Sequence, residues 1–135
     1  MIVDSSAVLA VLFAEEDAAR FAGAIAAAER CRMSAANWLE SAIRVDLSGD
    51  AVASNAFDDF VREAGIVVEA VTEEQARIAR QAYRAYGRGT GHPARLNFGD
   101  CFAYALAKVV REPLLYKGDD FARTDIAGVE ESGGE

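Results

Sequence analysis

The sequence predicts an α/β fold, a three-layer α/β/α arrangement around a short-stranded, mainly parallel central sheet of four or five strands. Short apolar or β-branched runs alternate along the chain with longer segments of helical periodicity, the pattern of parallel strands joined by helical crossovers. The 135 residues suit one ordinary domain. A composition of 52% hydrophobic and 27% charged residues, with two prolines, is that of a compact globule and not of a disordered chain.

The first half of the chain contains three predicted strands and four predicted helices. The apolar start is predicted to be a strand that ends before Asp4, and Ser5 or Ser6 is predicted to cap the helix that follows. Gly49 ends a later helix, and Asp50 can cap the next one. The predicted elements are a strand at residues 1–3, helices at 5–13 and 17–29, a strand at 31–34, helices at 35–47 and from 50, and a strand at 66–71.

The second half begins with a predicted capping box, Thr72 to Gln75, whose helix should end near Tyr86 before a loop with three glycines. Another helix, from about Asn97, is apolar nearly all round and should be buried. A strand at residues 114–116, a turn at 118–120 and a short strand around 125–129 complete the predicted elements. We expect one domain over residues 1–130 and a loose tail over residues 131–135.

Aromatic and sulfur-containing side chains are predicted to be structural. Because their neighbours are apolar, five aromatic residues are predicted to form core or dimer interface and not platforms for base stacking: Trp38, Phe57, Phe60, Phe98 and Phe102. Cys31 and Cys101 lie far apart without metal-ligand spacing, which indicates reduced, buried thiols. The longest apolar run, residues 7–14, is too short to cross a bilayer, and no export signal precedes it, so we expect a cytoplasmic protein without membrane contact.

Acidic side chains are predicted at the carboxyl ends of the strands, where parallel sheets place their ligand sites. Asp4 directly follows the first strand, whereas Glu40 and Asp100 lie beside apolar residues on predicted helices. Asp119 and Asp120 follow the fourth strand. Each acid taken alone has an ordinary explanation as a helix cap, an exposed helical acid or a turn residue.

Several carboxylates brought together repel one another, and a divalent cation would compensate that repulsion. Ligands that are all oxygen favour Mg²⁺, with Mn²⁺ as a substitute, and such a site suits phosphodiester hydrolysis. In this interpretation Asp4 and Asp100 bind the metal directly, and Glu40 completes the shell or positions water. Asp119 or Asp120 binds a second ion or acts through water.

Four segments in this order resemble the PIN-domain ribonucleases, specifically the VapC-like toxins of type II toxin–antitoxin modules. They are residues 2–7 (IVDSSA), 37–40 (NWLE), 97–101 (NFGDC) and 114–121 (LLYKGDDF). The resemblance covers nearly the whole chain and implies a PIN-like fold, with Ser6 hydrogen-bonding within the site. It implies an acidic quartet of Asp4, Glu40, Asp100 and Asp119. Many members have a threonine, one residue and then the acid after the fourth strand, whereas here Lys117 and Gly118 precede two acids, which leaves Asp119 and Asp120 as alternatives.

The resemblance also implies Mg²⁺-dependent cleavage of structured RNA such as tRNA or ribosomal RNA, a homodimer, and a cognate antitoxin, with DNA bound only indirectly through that antitoxin. An antitoxin for such a site would insert an arginine or lysine among the acids. One alternative is a catalytically weak PIN domain that acts as a regulatory module binding RNA or antitoxin. A phosphohydrolase of the haloacid-dehalogenase type fits less well, because Ser6 stands where its second aspartate would be expected.

Positive charge is concentrated in one segment, although the formal net charge of −8 argues against coating nucleic acid through bulk charge alone. Residues 75–99 contain five arginines and no acid. Four of them follow 3-4-4 spacing on the predicted helix: Arg77, Arg80, Arg84 and Arg88. This stripe is interpreted either as a contact for an RNA backbone or as a solvated helix face on which Glu73 and Glu74 support Arg77.

Overall fold

Strands and helices alternate along the chain in the predicted order in a computed structural model that describes residues 1–129. The tail predicted at residues 131–135 lies outside the described residues. The elements are β1 Ile2–Val3, α1 Ser5–Leu12, α2 Ala18–Ala27, β2 Cys31–Ser34, α3 Ala35–Leu47, α4 Ala51–Glu63, β3 Ile66–Glu69, α5 Glu73–Tyr86, α6 Phe98–Val110, β4 Leu114–Leu115 and a 3₁₀ helix Phe121–Arg123.

The sheet has the strand order β3-β2-β1-β4, and all of its pairings are parallel. Ile2 and Val3 of β1 are fully buried and point to opposite faces of the sheet. Val3 packs into a core shared with helices α1 to α4, whereas Ile2 packs into a second core with α5 and α6. The three-layer α/β/α architecture is therefore confirmed, with β1 at its centre.

Two predictions about the ends of elements need correction. Asp4, not Ser5 or Ser6, is the N-cap of α1, because its backbone is extended and its carboxylate accepts a hydrogen bond from the Ser6 amide. The strand predicted at residues 125–129 is a single bridge between Leu114 and Gly128. Since β4 has only two residues, it offers almost no edge along which a fifth strand could pair.

Phe98, predicted to belong to the core or to a dimer interface, does not lie in the core, because 77% of this residue is exposed. Asn97 caps α6, so Phe98 is the first residue of the helix and projects from its first turn. Phe57 is buried as predicted. Both cysteines are free and buried, as predicted. Within residues 1–129, no helix combines the length and apolar character that a membrane span requires.

Candidate active site

The acids predicted to form a site lie after β1, in the helix after β2, in the first turn of α6, and after β4. Because β2 and β4 flank β1 in a parallel sheet, this topology brings them to the carboxyl edge of the sheet. Asp4 is buried, Glu40 and Asp100 are half-buried, and Asp119 and Asp120 are exposed. The acids at this edge of the sheet therefore range from buried to solvent-exposed.

Asp4 is held in place by Ser6. Its Oδ2 accepts hydrogen bonds from the Ser6 amide at 3.0 Å and from Ser6 Oγ at 2.6 Å. Ser6 Oγ in turn accepts from the amide of Lys117 at 2.9 Å, so this hydroxyl joins the ends of β1 and β4. Burial raises the pKa of Asp4 to about 6, although the Ser6 hydrogen bonds oppose the shift and the charge of Glu40 adds to it.

Glu40 is fixed by two residues that were not predicted to belong to the site. Its Oε1 accepts from Ser5 Oγ at 2.6 Å and from Asn37 Nδ2 at 3.4 Å, and Asn37 Nδ2 also donates to the carbonyl of Gly99 at 3.0 Å. The Glu40 carboxylate lies so close to Gly99 that a methyl group on Gly99 would stand 2.3 Å from Oε2. A side chain at position 99 would therefore displace the Glu40 carboxylate from this position.

Asp100 is both a helix-capping residue and a member of the acidic group. Its Oδ2 accepts from the Asn97 amide at 3.0 Å, and its own amide donates to Asn97 Oδ1 at 2.9 Å, which forms a capping box. Burial raises the pKa of Asp100 to about 7 against the effect of the Asn97 bond, and the charges of Asp4, Asp120 and Glu40 raise it further.

The acids have no cation beside them in the described part of the chain. No ion pair between residues 1–129 includes Asp4, Glu40 or Asp100, and Lys117 Nζ instead binds Glu15 at 2.5 Å and Asp17 at 3.2 Å. A set of carboxylate oxygens without a compensating charge fits a hard divalent cation. As the side chains stand, however, no three acid, histidine or cysteine groups among the described residues are positioned to hold one ion.

The basic stripe is only partly helical. Arg77 Nε pairs with Glu73 Oε2 at 3.5 Å, as the solvated-face interpretation predicted, whereas Arg80 and Arg84 are exposed on α5 without an ion pair to any described residue. Arg88 lies beyond the end of α5, so its predicted place on the helix face is wrong. The helix stops because Gly87 takes an extended conformation.

The sequence analysis missed the supporting roles of Ser5, Asn37 and Gly99. Asn37 is 1% exposed, and its Oδ1 has no hydrogen-bond partner among residues 1–129, an unusual state for a buried amide oxygen. The sequence feature that could have indicated this role for Asn37 is its position one helical turn before Glu40. The contact with Gly99 could not be found locally, because 62 residues separate the two in sequence.

Comparison with known proteins agrees with this geometry. The model of the PIN domain family matches residues 1–127. The chain belongs to the PIN-domain family. Ribonuclease VapC28 of Mycobacterium tuberculosis is 56% identical to it over 126 residues, which are 93% of this chain and 95% of that protein. Ribonuclease VapC42 of the same species is 48% identical, again over 93% of this chain and over 96% of its own length. The resemblance of this PIN-domain protein to the VapC-like group is thereby confirmed.

Solved structures share the fold at much lower identity. VapC20 of Mycobacterium tuberculosis, described as a sarcin-ricin loop cleaving toxin, superposes with a TM-score of 0.73 and 17% identity over 96% of this chain and 98% of its own. A toxin–antitoxin complex from Klebsiella pneumoniae gives a TM-score of 0.66 and 15% identity over 90% of this chain and 89% of its own. The fold of this PIN domain is therefore that of known toxins.

Proposed function

We propose that this PIN-domain protein is the toxin of a type II toxin–antitoxin module, a cytoplasmic endoribonuclease that hydrolyses phosphodiester bonds of tRNA or ribosomal RNA with Mg²⁺. The observation that carries the proposal is the acidic group at the carboxyl edge of the sheet, where Asp4, Glu40 and Asp100 influence one another without a paired cation. The similarity to proteins named VapC ribonucleases supports it.

Asp4 and Asp100 would hold Mg²⁺, or Mn²⁺ as a substitute, and such an ion supplies water activation and neutralisation of charge at the phosphate. Ser6 keeps one oxygen of Asp4 oriented, and the Asn97 amide does the same for Asp100. Ser5 and Asn37 both bind Oε1 of Glu40, which leaves Oε2 to accept a proton from water at that atom. These fixed carboxylates would bind and orient the attacking water beside the RNA phosphate.

The fourth acid is proposed to be Asp120. Both candidates are exposed in the turn after β4, and the charge of Asp120 is one of those that raise the pKa of Asp100. Arg77, Arg80, Arg84 and Arg88 are proposed to contact the RNA backbone. Three of them have no ion-pair partner among residues 1–129, so an RNA phosphate would meet cations that are not already neutralised.

The test is cleavage of total tRNA and ribosomal RNA by purified protein, with Mg²⁺ or with a chelator. Asp4→Asn is the informative variant because asparagine keeps the helix cap while it removes the charge. Asp58→Asn, an exposed acid on α4, is the matched control. We expect discrete fragments that require Mg²⁺, persist in the control and disappear in Asp4→Asn. Cleavage by Asp4→Asn at the wild-type rate would contradict the proposal.

The second candidate is a catalytically weak PIN domain that binds RNA or antitoxin as a regulatory module. Arg80, Arg84 and Arg88 have no ion-pair partner among residues 1–129, which favours RNA binding whether or not the RNA is cleaved. Overexpression separates the two functions, since an active ribonuclease should arrest growth and Asp4→Asn should relieve the arrest. Folded, antitoxin-free protein that cleaves no RNA in either assay but still binds it would establish the second candidate.

The proposed partners are a cognate antitoxin and a second copy of the chain. An antitoxin arginine or lysine placed among the acids would replace the charge of the metal, and DNA would be bound only through the antitoxin.

Leu39, Ile43 and Leu47 are exposed one turn apart along α3, an apolar stripe that suits a homodimer contact. Light scattering should then report a dimer for the wild type and a monomer for Leu47→Lys.

A further inference from the structure

A cavity of about 250 Å³ opens between α5 and α6, beside the helical turn that carries Asp100. Its walls are largely apolar. Residues from α6 form one side and residues from α5 the other: Phe98, Cys101, Phe102, Ala79, Arg80 and Tyr83. Pockets for drug-sized ligands measure about 300–1,000 Å³, so this cavity suits a single ring system.

Phe98 gives the cavity an exposed aromatic wall. It is 77% exposed, and its ring makes an edge-to-face contact with Phe102, with 4.9 Å between the ring centroids and 84° between the planes. An exposed aromatic face is a surface on which a second flat ring can stack. It lies two residues before Asp100, so a ring stacked there would be close to the acidic site.

The polar surroundings of the cavity select for an anionic ligand. Arg80 lines the cavity, Arg84 follows one turn later on α5, and neither forms an ion pair with any of residues 1–129. The Tyr83 hydroxyl donates to the Arg88 carbonyl at 2.7 Å and is thereby already used. The cavity therefore offers stacking and positive charge but few groups that could read the edge of a base.

We propose that this cavity is a nucleobase-binding subsite in which one base of the RNA stacks on Phe98 while Arg80 and Arg84 bind the adjoining phosphates. The inference rests on the proposed function, because it takes RNA as the ligand. A nucleobase has a flat face and is joined through its ribose to a phosphate on either side, which matches the wall and its charges together. An apolar side chain of a protein would fill the cavity but leave both arginines unmatched. Recognition by stacking accepts a base by ring size more than by sequence.

Binding is measured without turnover, in the Asp100→Asn background, by the fluorescence anisotropy of a short fluorescein-labelled single-stranded oligoadenylate. Phe98→Ala should weaken binding about tenfold, within the range of about 1–3 kcal/mol for one stacked base. Phe98→Trp should restore it, because indole also stacks. Val52→Ala, which removes an equally exposed apolar side chain from α4, should bind like the parent. Thermal unfolding confirms that each variant is folded.

The decisive comparison uses oligonucleotides with a single abasic position moved along the chain. An abasic residue at one position should weaken binding to the parent protein by the same factor as Phe98→Ala does with the intact oligonucleotide. With that abasic oligonucleotide, Phe98→Ala should cause no further loss of affinity. Independent losses at every abasic position would overturn the proposal, as would unchanged RNA binding by Phe98→Ala. Loss of antitoxin binding with unchanged RNA binding would assign the cavity to a protein and overturn it too.

This experiment also distinguishes the subsite from the proposed activity. If protein with Asp100 intact cleaves no RNA while the abasic effect is present, the ribonuclease proposal fails and the subsite stands. If the protein cleaves RNA while Phe98→Ala and the abasic substitutions act independently, the subsite fails and the ribonuclease proposal stands. In the cleavage assay, the subsite requires that Phe98→Ala raise KM about tenfold with little change in kcat.

Discussion

At the amino end of the sheet, Glu112 accepts a hydrogen bond from the Met1 amine and pairs with Arg32 Nε at 3.6 Å, whereas at the carboxyl end Asp4 and Asp100 have no ion-pair partner among residues 1–129. The pKa values follow this difference. The hydrogen bond from the Met1 amine, with the charge of Arg32, lowers the pKa of Glu112. Burial raises the pKa of Asp4 to about 6 and that of Asp100 to about 7.

The charges at the two ends of the sheet therefore have different effects on stability and function. Compensated charges at the amino end hold strands together. Uncompensated carboxylates at the carboxyl end oppose folding, and shifted pKa values of this kind are concentrated at functional sites. We expect each end to respond differently to pH, to metal and to single substitutions.

The largest expected difference is the response to pH without metal. Because the pKa values of Asp4 and Asp100 are raised above the usual 3.8, the folded protein keeps protons that the unfolded chain has released. Their contribution to stability is complete below pH 4 and is lost as the pH rises through 6 and 7. The free energy of unfolding should fall by on the order of 7 kcal/mol over this range, since the two pKa values lie about 2 and about 3 above 3.8 and each pKa unit corresponds to about 1.4 kcal/mol.

Denaturant unfolding at a series of pH values, in chelator and in Mg²⁺, measures this response. In the proposed site Mg²⁺ would bind the ionised carboxylates, so it should flatten the decline and raise stability at pH 7. The double variant Asp4→Asn with Asp100→Asn should be insensitive to both pH and Mg²⁺ in this range. If the stability of the wild-type protein instead rose between pH 4 and 7 in chelator, Asp4 and Asp100 could not be carboxylates that lack a compensating cation.

The next effect comes from a single methyl group. Gly99→Ala would place a carbon 2.3 Å from Glu40 Oε2 and displace that carboxylate, so cleavage should fall about 10- to 100-fold, as when a supporting contact of a metal site is lost. Gly23→Ala on α2 is the matched control, because nothing lies within 4 Å of the added carbon. The control should keep full activity and gain about 0.5–1 kcal/mol of stability. Equal activity in the two variants would show that the position of Glu40 is unimportant.

The sequence predicted much of the fold because local signals marked the ends of elements. Ser34 ends β2, and its hydroxyl accepts from the Ala36 amide to begin α3, so the bounds of both elements were predicted correctly. The strand predicted at residues 125–129 failed for a non-local reason, since its extent depends on the length of β4 beside it. The core alternative for Phe98 failed because its apolar neighbours do not reveal that it projects from the first turn of α6.

The site was predictable only in part. Asp4 could be located because it directly follows a strand, and the carboxyl edge of a parallel sheet is a general place for ligands. The packing of Glu40 against Gly99 depends on how α3 meets α6, which no short window of sequence contains. The choice between Asp119 and Asp120 depends on the conformation of one turn, and two adjacent acids carry no sequence signal that separates them.

At the amino end, we expect a loss of stability without a loss of activity. Arg32→Met removes the cation from Glu112, at 3.6 Å, and from Glu69, at 3.3 Å. Because these side chains are a quarter to a third exposed, the cost should be about 1–2 kcal/mol, below that of a fully buried pair. Arg62→Met, which breaks an exposed pair with Asp59, should cost less than about 0.5 kcal/mol. Reduced RNA cleavage by folded Arg32→Met would contradict this prediction, because it would show that the amino end of the sheet also contributes to activity.

The smallest effect concerns the exposed rim of the carboxyl end. Asp120→Asn should lower the pKa of Asp100 by a few tenths of a unit, because the charge of Asp120 raises that pKa. Asp119→Asn should lower it less, since Asp120 is the acid of this turn whose charge is prominent in raising the pKa of Asp100. Carboxyl NMR titration of the metal-free protein resolves shifts of this size. If Asp119→Asn gave the larger shift in the pKa of Asp100 and the larger loss of cleavage, the fourth acid would be Asp119. The turn after β4 would then direct Asp119, and not Asp120, toward Asp100.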